Sequence, residues 1–303
     1  MTSRRHPNHR DQSTLPRELR RTTVPVAVRA WIERAVGTAV VRGERLPGAS
    51  TTAIHRVRLA DGTSVVLRRY VWPFVLQDEP ITPRRELDAL LLAHARGLPV
   101  PHVVAADVTG SEIGDGVPAV LMTLLPGQAM AAPDAVRLAE VAAAIHDTDP
   151  GDFAHDYFRW FDDLPSRAPG AAGQPRLWER ALDLLRATPM PSYRHTFIHR
   201  DFHPGNVLWL RGRCSGVVDW AEACRGPAGC DVATCRGELI RLCGVEVADR
   251  FGQAYETVTG ERHDPYWELV SVFEHGPAPW TAREIAETEP RLASAIQAMH
   301  ARS

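Results

Sequence analysis

The chain has 303 residues, enough to bury a substantial core in one large or two modest domains. Its composition is globular, 44% apolar and 24% charged, and a net charge of −2 excludes the basic surplus that a nucleic-acid partner demands. All 35 basic residues are arginine, so any cationic task on a phosphate falls to a guanidinium.

The five cysteines, Cys214, Cys224, Cys230, Cys235 and Cys243, lie close together but lack paired C-x-x-C spacing, and they read as reduced, half-buried residues. The first residues, "MTSRRHPNHRDQSTLPRELRR", carry no apolar central stretch and read as a frayed or disordered tail over 1–23. The longest uncharged stretch, between Asp115 and Asp134, is broken by prolines and glycines, so no membrane span is expected and the chain reads as cytoplasmic.

In chain order, 24–42 reads as a helix, and "IHRVRL" and "SVVLRRY" read as strands of a hairpin turning at Asp61-Gly62. Thr82 as N-cap and Pro83 at the first helical position open a helix that Gly97 and Pro99 stop. "PAVLMTLL" reads as a strand that ends at Pro126-Gly127. Leu138, Val141, Ala142 and Ile145 then mark an amphipathic helix ending near His146. A polar, aromatic loop over 147–175 precedes a helix at 175–187. "NVLWL" and "GVVDW" read as short strands, and the remainder as helices over 232–258, 264–275 and 281–300. The expected organisation is a small mixed β/α lobe over 24–125 and a larger, mostly helical lobe over 126–303.

Residues 197–209, "FIHRDFHPGNVLW", set a polar cluster against an apolar run. On an extended strand His199, Asp201 and His203 would face one way, as metal ligands would, and a His/Asp metallohydrolase is one reading. Pro204-Gly205 marks a loop instead. Asp201 is followed five residues later by Asn206, and Asp219 comes thirteen after that at the end of an apolar strand. "HRDFHPGN" matches the kinase catalytic-loop pattern H-R-D-x-x-x-x-N at every fixed position. Phosphoryl transfer needs such a set, one carboxylate for the attacking hydroxyl and an amide and second carboxylate for Mg²⁺.

With "GVVDWAEACRGPAGCDVA", "SVVLRRY", "RRELDALLLAHARGLPVP", "VLMTLLPG" and "AAAIHD" in the same order, the chain resembles the aminoglycoside phosphotransferase and choline-kinase-like family of small-molecule kinases over residues 40–275. The resemblance implies an α+β, two-lobed protein-kinase-like fold. Its small antiparallel-sheet lobe would carry one main helix and its larger lobe would be mostly helical. It implies Asp201 as catalytic base, Asn206 and Asp219 as ligands of Mg²⁺, and His199 and Asp231 as supporting residues of the loop. Arg68 stands where the family usually has lysine, and is implied to meet the phosphates of ATP or GTP while pairing with Glu86. Ser50 and Thr51 would add phosphate donors, Met122 and Leu124 would line the base pocket, and Arg69 would be a strand surface charge. The implied partner is a small-molecule hydroxyl acceptor, with an aminoglycoside or another basic antibiotic drawn by the acidic 147–175 loop. No nucleic acid, membrane or protein partner is implied. The rival within the same fold is an inactive nucleotide-binding protein.

Overall fold

The computed structural model describes residues 23–46, 52–72, 77, 79–130, 132–159, 172–275 and 281–301, and the expectations for Ser50, Thr51 and the tail lie outside them. α1 (Val26–Val36) buries Val28, Trp31 and Ile32 at helical spacing. It stops earlier than the sequence reading had it, because Gly37 takes the left-handed conformation at φ 72° and its N–H reaches back to Glu33 O. The β-branched pair Val40-Val41 then opens strand β1 (Val40–Arg45), which corrects the longer helix expected over 24–42.

β2 (Ala53–Leu59) and β3 (Ser64–Arg69) form the expected hairpin, with Gly62 at φ 86° in its turn. α2 (Thr82–Ala95) follows. Its first-turn Thr82 turns its hydroxyl toward Glu79 rather than capping the helix, a second correction. β4 (Val103–Asp107), which the sequence reading missed, and β5 (Ala119–Thr123) complete an antiparallel five-stranded sheet ordered β1-β2-β3-β5-β4.

Further along come α3 (Ala135–His146), α4 (Pro175–Ala187), β6 (Thr196–Ile198), β7 (Val207–Leu210), β8 (Arg213–Val217) and β9 (Cys224–Gly226). β8 ends before Asp219, so the strand expected over 216–220 is in fact "RCSGV" followed by a turn. The single helix expected over 232–258 is two, α5 (Ala228–Cys243) and α6 (Val245–Thr259), broken at Gly244 with φ 93° and ψ 167°. That backbone region is essentially open to glycine alone. α7 (Tyr266–His275) and α8 (Ala282–His300) finish the chain. Among the described residues no helix is long and apolar enough to cross a membrane.

The described residues divide into two units, 23–127 with 208–222, and 128–207 with 223–301. In the first, the face of β3 bearing Val65 and Leu67 packs with Val57, Leu121, Trp31 and Ile32. Period-2 alternation turns Arg68 to the opposite face, toward α2. Arg69, on the core face, is buried and pairs with Asp115 at 2.7 Å, so it is not the surface charge the sequence suggested. The second unit packs helices around Trp178, Leu185, Ile198, Trp267, Leu269 and Ile296, with β6 paired antiparallel to β9.

The Pro126-Gly127 corner is seated on the β7–β8 hairpin. Ser215 Oγ donates to Pro126 O at 2.6 Å, and Gly127 adopts φ 101°. A Cβ on Gly127 would stand 2.6 Å from Trp209 O. Gly127→Ala therefore meets both strain and a backbone clash, and should lower stability by about 2 kcal/mol or more. A urea-denaturation midpoint checks this, and an unchanged midpoint would show that the corner is not held as described.

Candidate active site

The 199–206 loop leaves β6 and is organised by one carboxylate. Asp231, in the first turn of α5, is fully buried and accepts backbone N–H bonds from His199 at 2.8 Å and Arg200 at 2.6 Å. His146 Nε2, from the end of α3, lies 3.0 Å from the same carboxylate, and His146 Nδ1 is 2.7 Å from the Tyr255 hydroxyl. Burial alone would raise the Asp231 carboxyl, but the bond from His146, with the charge and N–H around it, outweighs burial and holds it below the usual carboxylate range. His146 had been read only as the end of a helix. "AAAIHD" placed it in order, but nothing in the sequence said which way its ring turned.

Arg200 is also recruited where sequence reasoning gave it no part. It is fully buried, sits at φ 68°, and donates from Nη2 to Phe158 O at 2.6 Å. Its guanidinium lies over the rings of Phe158 and Tyr157, at 4.5 and 4.9 Å from the centroids. A non-glycine residue in the left-handed region is costly, and these bonds hold it there. His199 is buried with its ring edge-on to Phe202.

Past Arg200 the chain turns back on itself. Asn206 Nδ2 donates to Asp201 O at 2.9 Å and to Asp201 Oδ2 at 3.3 Å. The amide nitrogen of Asn206 is thus engaged by Asp201. His203 Nδ1 accepts the N–H of Gly205 at 3.0 Å, capping the short turn Pro204–Asn206. A Cβ on Gly205 would stand 2.7 Å from the His203 ring, so this glycine lets the ring fold over the turn. His203 Nε2 lies 3.8 Å from Asp201 Oδ2. Among the described residues no three His, Cys, Asp or Glu side chains are grouped to hold a metal ion.

Asp201 and His203 line a cavity of about 370 Å³ whose other walls come from α5, α7 and α8. The resemblance had implied an acceptor cleft formed by helices of the larger lobe together with the 147–175 loop. In the structure Phe153 is buried edge-on to Phe197, Tyr157 donates to Glu274 at 3.0 Å, and Asp156 pairs with Arg225. Trp160, Phe161, Asp162 and Asp163 lie outside the described residues.

In the other unit, Arg68 is buried and donates to two carboxylates, Glu86 on α2 at 2.8 Å and Asp219 at 2.7 Å. Burial opposes the guanidinium's charge, but Asp219 and then Glu86 outweigh it and hold the group well above its ordinary value. Burial pushes Glu86 up, with Arg68 pulling against it, and the Tyr70 hydroxyl donates to the same carboxylate. Asp219 sits at φ 69° just past β8 with its side chain 37% exposed. Glu222 accepts from Arg85 Nη2 at 3.3 Å. Met122 is buried in β5 between Val66 and Val103, and Leu124 is half-buried beyond the strand.

Because folding depresses the Asp231 carboxyl, its contribution to stability is complete above the unfolded value, about 4, and is lost as pH falls through the folded value. Asp231→Asn should cost about 2–3 kcal/mol at pH 7, and the gap from wild type should shrink in the acid limb of a pH-stability profile. A gap that does not change with pH would show that the carboxylate's charge is not what holds the loop.

The chain is similar to two curated relatives. Over 141 residues it is 30% identical to the homoserine kinase of Chelativorans sp. (strain BNC1), covering 40% of this chain and 41% of the relative. Over 165 residues it is 33% identical to the homoserine kinase of Mesorhizobium japonicum (strain LMG 29417 / CECT 9101 / MAFF 303099), covering 46% and 48%. The matches thus span less than half of each relative's length. Among solved structures, a thermostable mutant of aminoglycoside phosphotransferase APH(4)-Ia, in ternary complex with AMP-PNP and hygromycin B, superposes with a TM-score of 0.64 at 18% identity, over 90% of this chain and 99% of that one. This likeness establishes the two-lobed α+β fold. The model of the phosphotransferase enzyme family matches residues 45–289, and the chain belongs to that family.

Proposed function

We propose that the chain moves the γ-phosphoryl group of ATP or GTP to a hydroxyl of a small molecule. The observation that carries this reading is the 201–206 turn. There a carboxylate is fixed by Asn206 and opens, with its side chain 37% exposed, onto a cavity of about 370 Å³. An acceptor hydroxyl entering that cavity can donate a hydrogen bond to Asp201. As its oxygen bonds to the γ-phosphorus, the bond from phosphorus to the bridging oxygen breaks, the nucleoside diphosphate leaves, and the hydroxyl proton passes to Asp201. The transition state is loose, so positioning and charge stabilisation supply most of the rate, and the carboxylate need not be a strong base.

Arg68 is assigned to the α- and β-phosphates, with Glu86 holding its guanidinium from behind, and arginine's planar fork suits a phosphate. Asn206 and Asp219 are assigned to Mg²⁺ on the family pattern, and each offers the hard oxygen donor that the ion takes beside phosphate and water. When bound, the ion would neutralise charge on the transferring phosphates. Met122 and Leu124 are assigned to the nucleotide base, and Ser50 and Thr51 to its phosphates, on the family pattern alone. His199 and Asp231 support the loop rather than touch substrate. The nucleotide is thus assigned chiefly to 24–125 and the acceptor to 126–303.

The names of the relatives support a nucleotide donor and a small acceptor: two are homoserine kinases, and one was solved with AMP-PNP and hygromycin B. An amine-bearing acceptor, whether a basic antibiotic or a smaller molecule, fits the acidic side chains Glu238, Glu284 and Glu287 along the cavity. A cytoplasmic location fits the nucleotide donor.

Asp201→Ala should lower kcat by about 10²–10⁴-fold while leaving the KM for the Mg²⁺-nucleotide within about threefold of wild type. Steady-state transfer assays with radiolabelled nucleotide read both constants. Retained turnover in the variant would remove Asp201 from the mechanism.

A further inference from the structure

We infer that Tyr255 is a positioning residue for Asp201: its hydroxyl holds the His146 ring, the ring holds the Asp231 carboxylate, and the carboxylate holds the loop that presents the base. The inference rests on the reading of Asp201 as the acceptor's base and deepens it. Tyr255 lies on the buried face of α6 with Ala248, Phe251 and Gly252. A phenylalanine would fill the same space, whereas a buried hydroxyl needs a partner. That partner is His146 Nδ1, at 2.7 Å. Burial, with Glu261 and Asp231 near it, pushes the phenol well up, so the hydroxyl keeps its proton.

An ionised carboxylate only accepts, so at the 3.0 Å contact with Asp231 the donor is His146 Nε2. Nδ1 is left to Tyr255, whose hydroxyl can donate or accept and so suits the ring in either protonation state. A half-turn of the imidazole about its Cβ–Cγ bond would set ring carbon against both partners. The bond to the hydroxyl and the bond to the carboxylate are therefore made together or lost together. The backbone of His146 is held as well, since its carbonyl accepts from Thr196 Oγ1 at the start of β6 and from Arg194 Nη2 at 3.2 Å. His146 thus meets the chain before the loop through its carbonyl, and at the loop through Asp231, which takes the N–H groups of His199 and Arg200. Among these contacts the ring is the part that can turn about its own bond, and the Tyr255 hydroxyl stops it.

The test is hydrogen exchange at the His199 and Arg200 amides, with turnover of Mg²⁺-ATP alongside, on wild type, Tyr255→Phe, His146→Gln and the double variant. His146 and Tyr255 line a cavity of about 440 Å³, so water can take the place of the lost hydroxyl and Tyr255→Phe should fold. Glutamine can reach Asp231 with its amide but offers Tyr255 no ring nitrogen. Tyr255→Phe should speed exchange of the two amides by about 5–10-fold while amides of α4 keep their wild-type rates. It should lower kcat by a similar factor and leave the KM for Mg²⁺-ATP within about twofold of wild type. In the His146→Gln background the same substitution should change neither quantity further, because the relay is already cut. A purely structural role would speed exchange throughout the second unit, or would add its effect in full to that of His146→Gln. Either result overturns the inference, as does unchanged exchange at His199 and Arg200, or faster exchange there with kcat unchanged. Exchange needs no turnover, so the two readings fail separately. A wild type that neither shifts with Mg²⁺-ATP nor turns it over removes the phosphotransferase reading, and the exchange pattern alone then judges the relay.

Discussion

Everything around the 199–206 loop depends on one buried carboxylate. Asp231 is removed from water, which disfavours its charge, and yet it collects two backbone N–H groups and an imidazole that together outweigh that cost. Both N–H groups belong to residues just before Asp201. The carboxylate therefore sets the direction in which the chain leaves β6, and Arg200 can occupy a left-handed conformation it would otherwise avoid. Asn206 then closes the loop from its far end through Asp201. The exposed carboxylate of Asp201 is thus held on both sides by groups that are not themselves free to move.

The other unit repeats the logic with the sign reversed. There a single buried cation, Arg68, organises two carboxylates, and Glu86 is itself steadied by the Tyr70 hydroxyl. A lysine would present a point charge at this position. The guanidinium can donate from one nitrogen to Glu86 and from another to Asp219, keeping both carboxylates in register with one side chain. The chain contains no lysine, and the buried Arg68 guanidinium is paired with Glu86 and Asp219 rather than left as an unpaired buried charge.

The sequence showed most clearly the features with local causes. Gly62 in its hairpin, Gly97 at a helix end and the spacing of Asp201, Asn206 and Asp219 follow from neighbours a few residues away, and the order of segments sufficed to indicate the fold. Features with distant causes were hidden. Gly37 ends the helix expected over 24–42 locally, but the strand that opens at Val40 rests on its pairing with β2, about which helical periodicity carries no information. The break at Gly244 looked like a tolerated glycine inside a long helical pattern. His146 read only as a helix end and Arg200 was given no part, and their roles rest on partners far away along the chain. The acidic 147–175 loop drew attention by composition, whereas the charges that line the cavity beside Asp201 are scattered over α5 and α8.

The measurement that bears most directly on the account is a thermal-shift titration of wild type and Asp219→Ala with ATP and with GTP, each with and without Mg²⁺. The account predicts that at least one nucleotide raises the wild-type melting temperature only when Mg²⁺ is present. At a hundred times the dissociation constant the stabilisation should be about 2.7 kcal/mol, and Asp219→Ala should lose most of it. No shift with either nucleotide, or a shift indifferent both to Mg²⁺ and to the loss of Asp219, would contradict it.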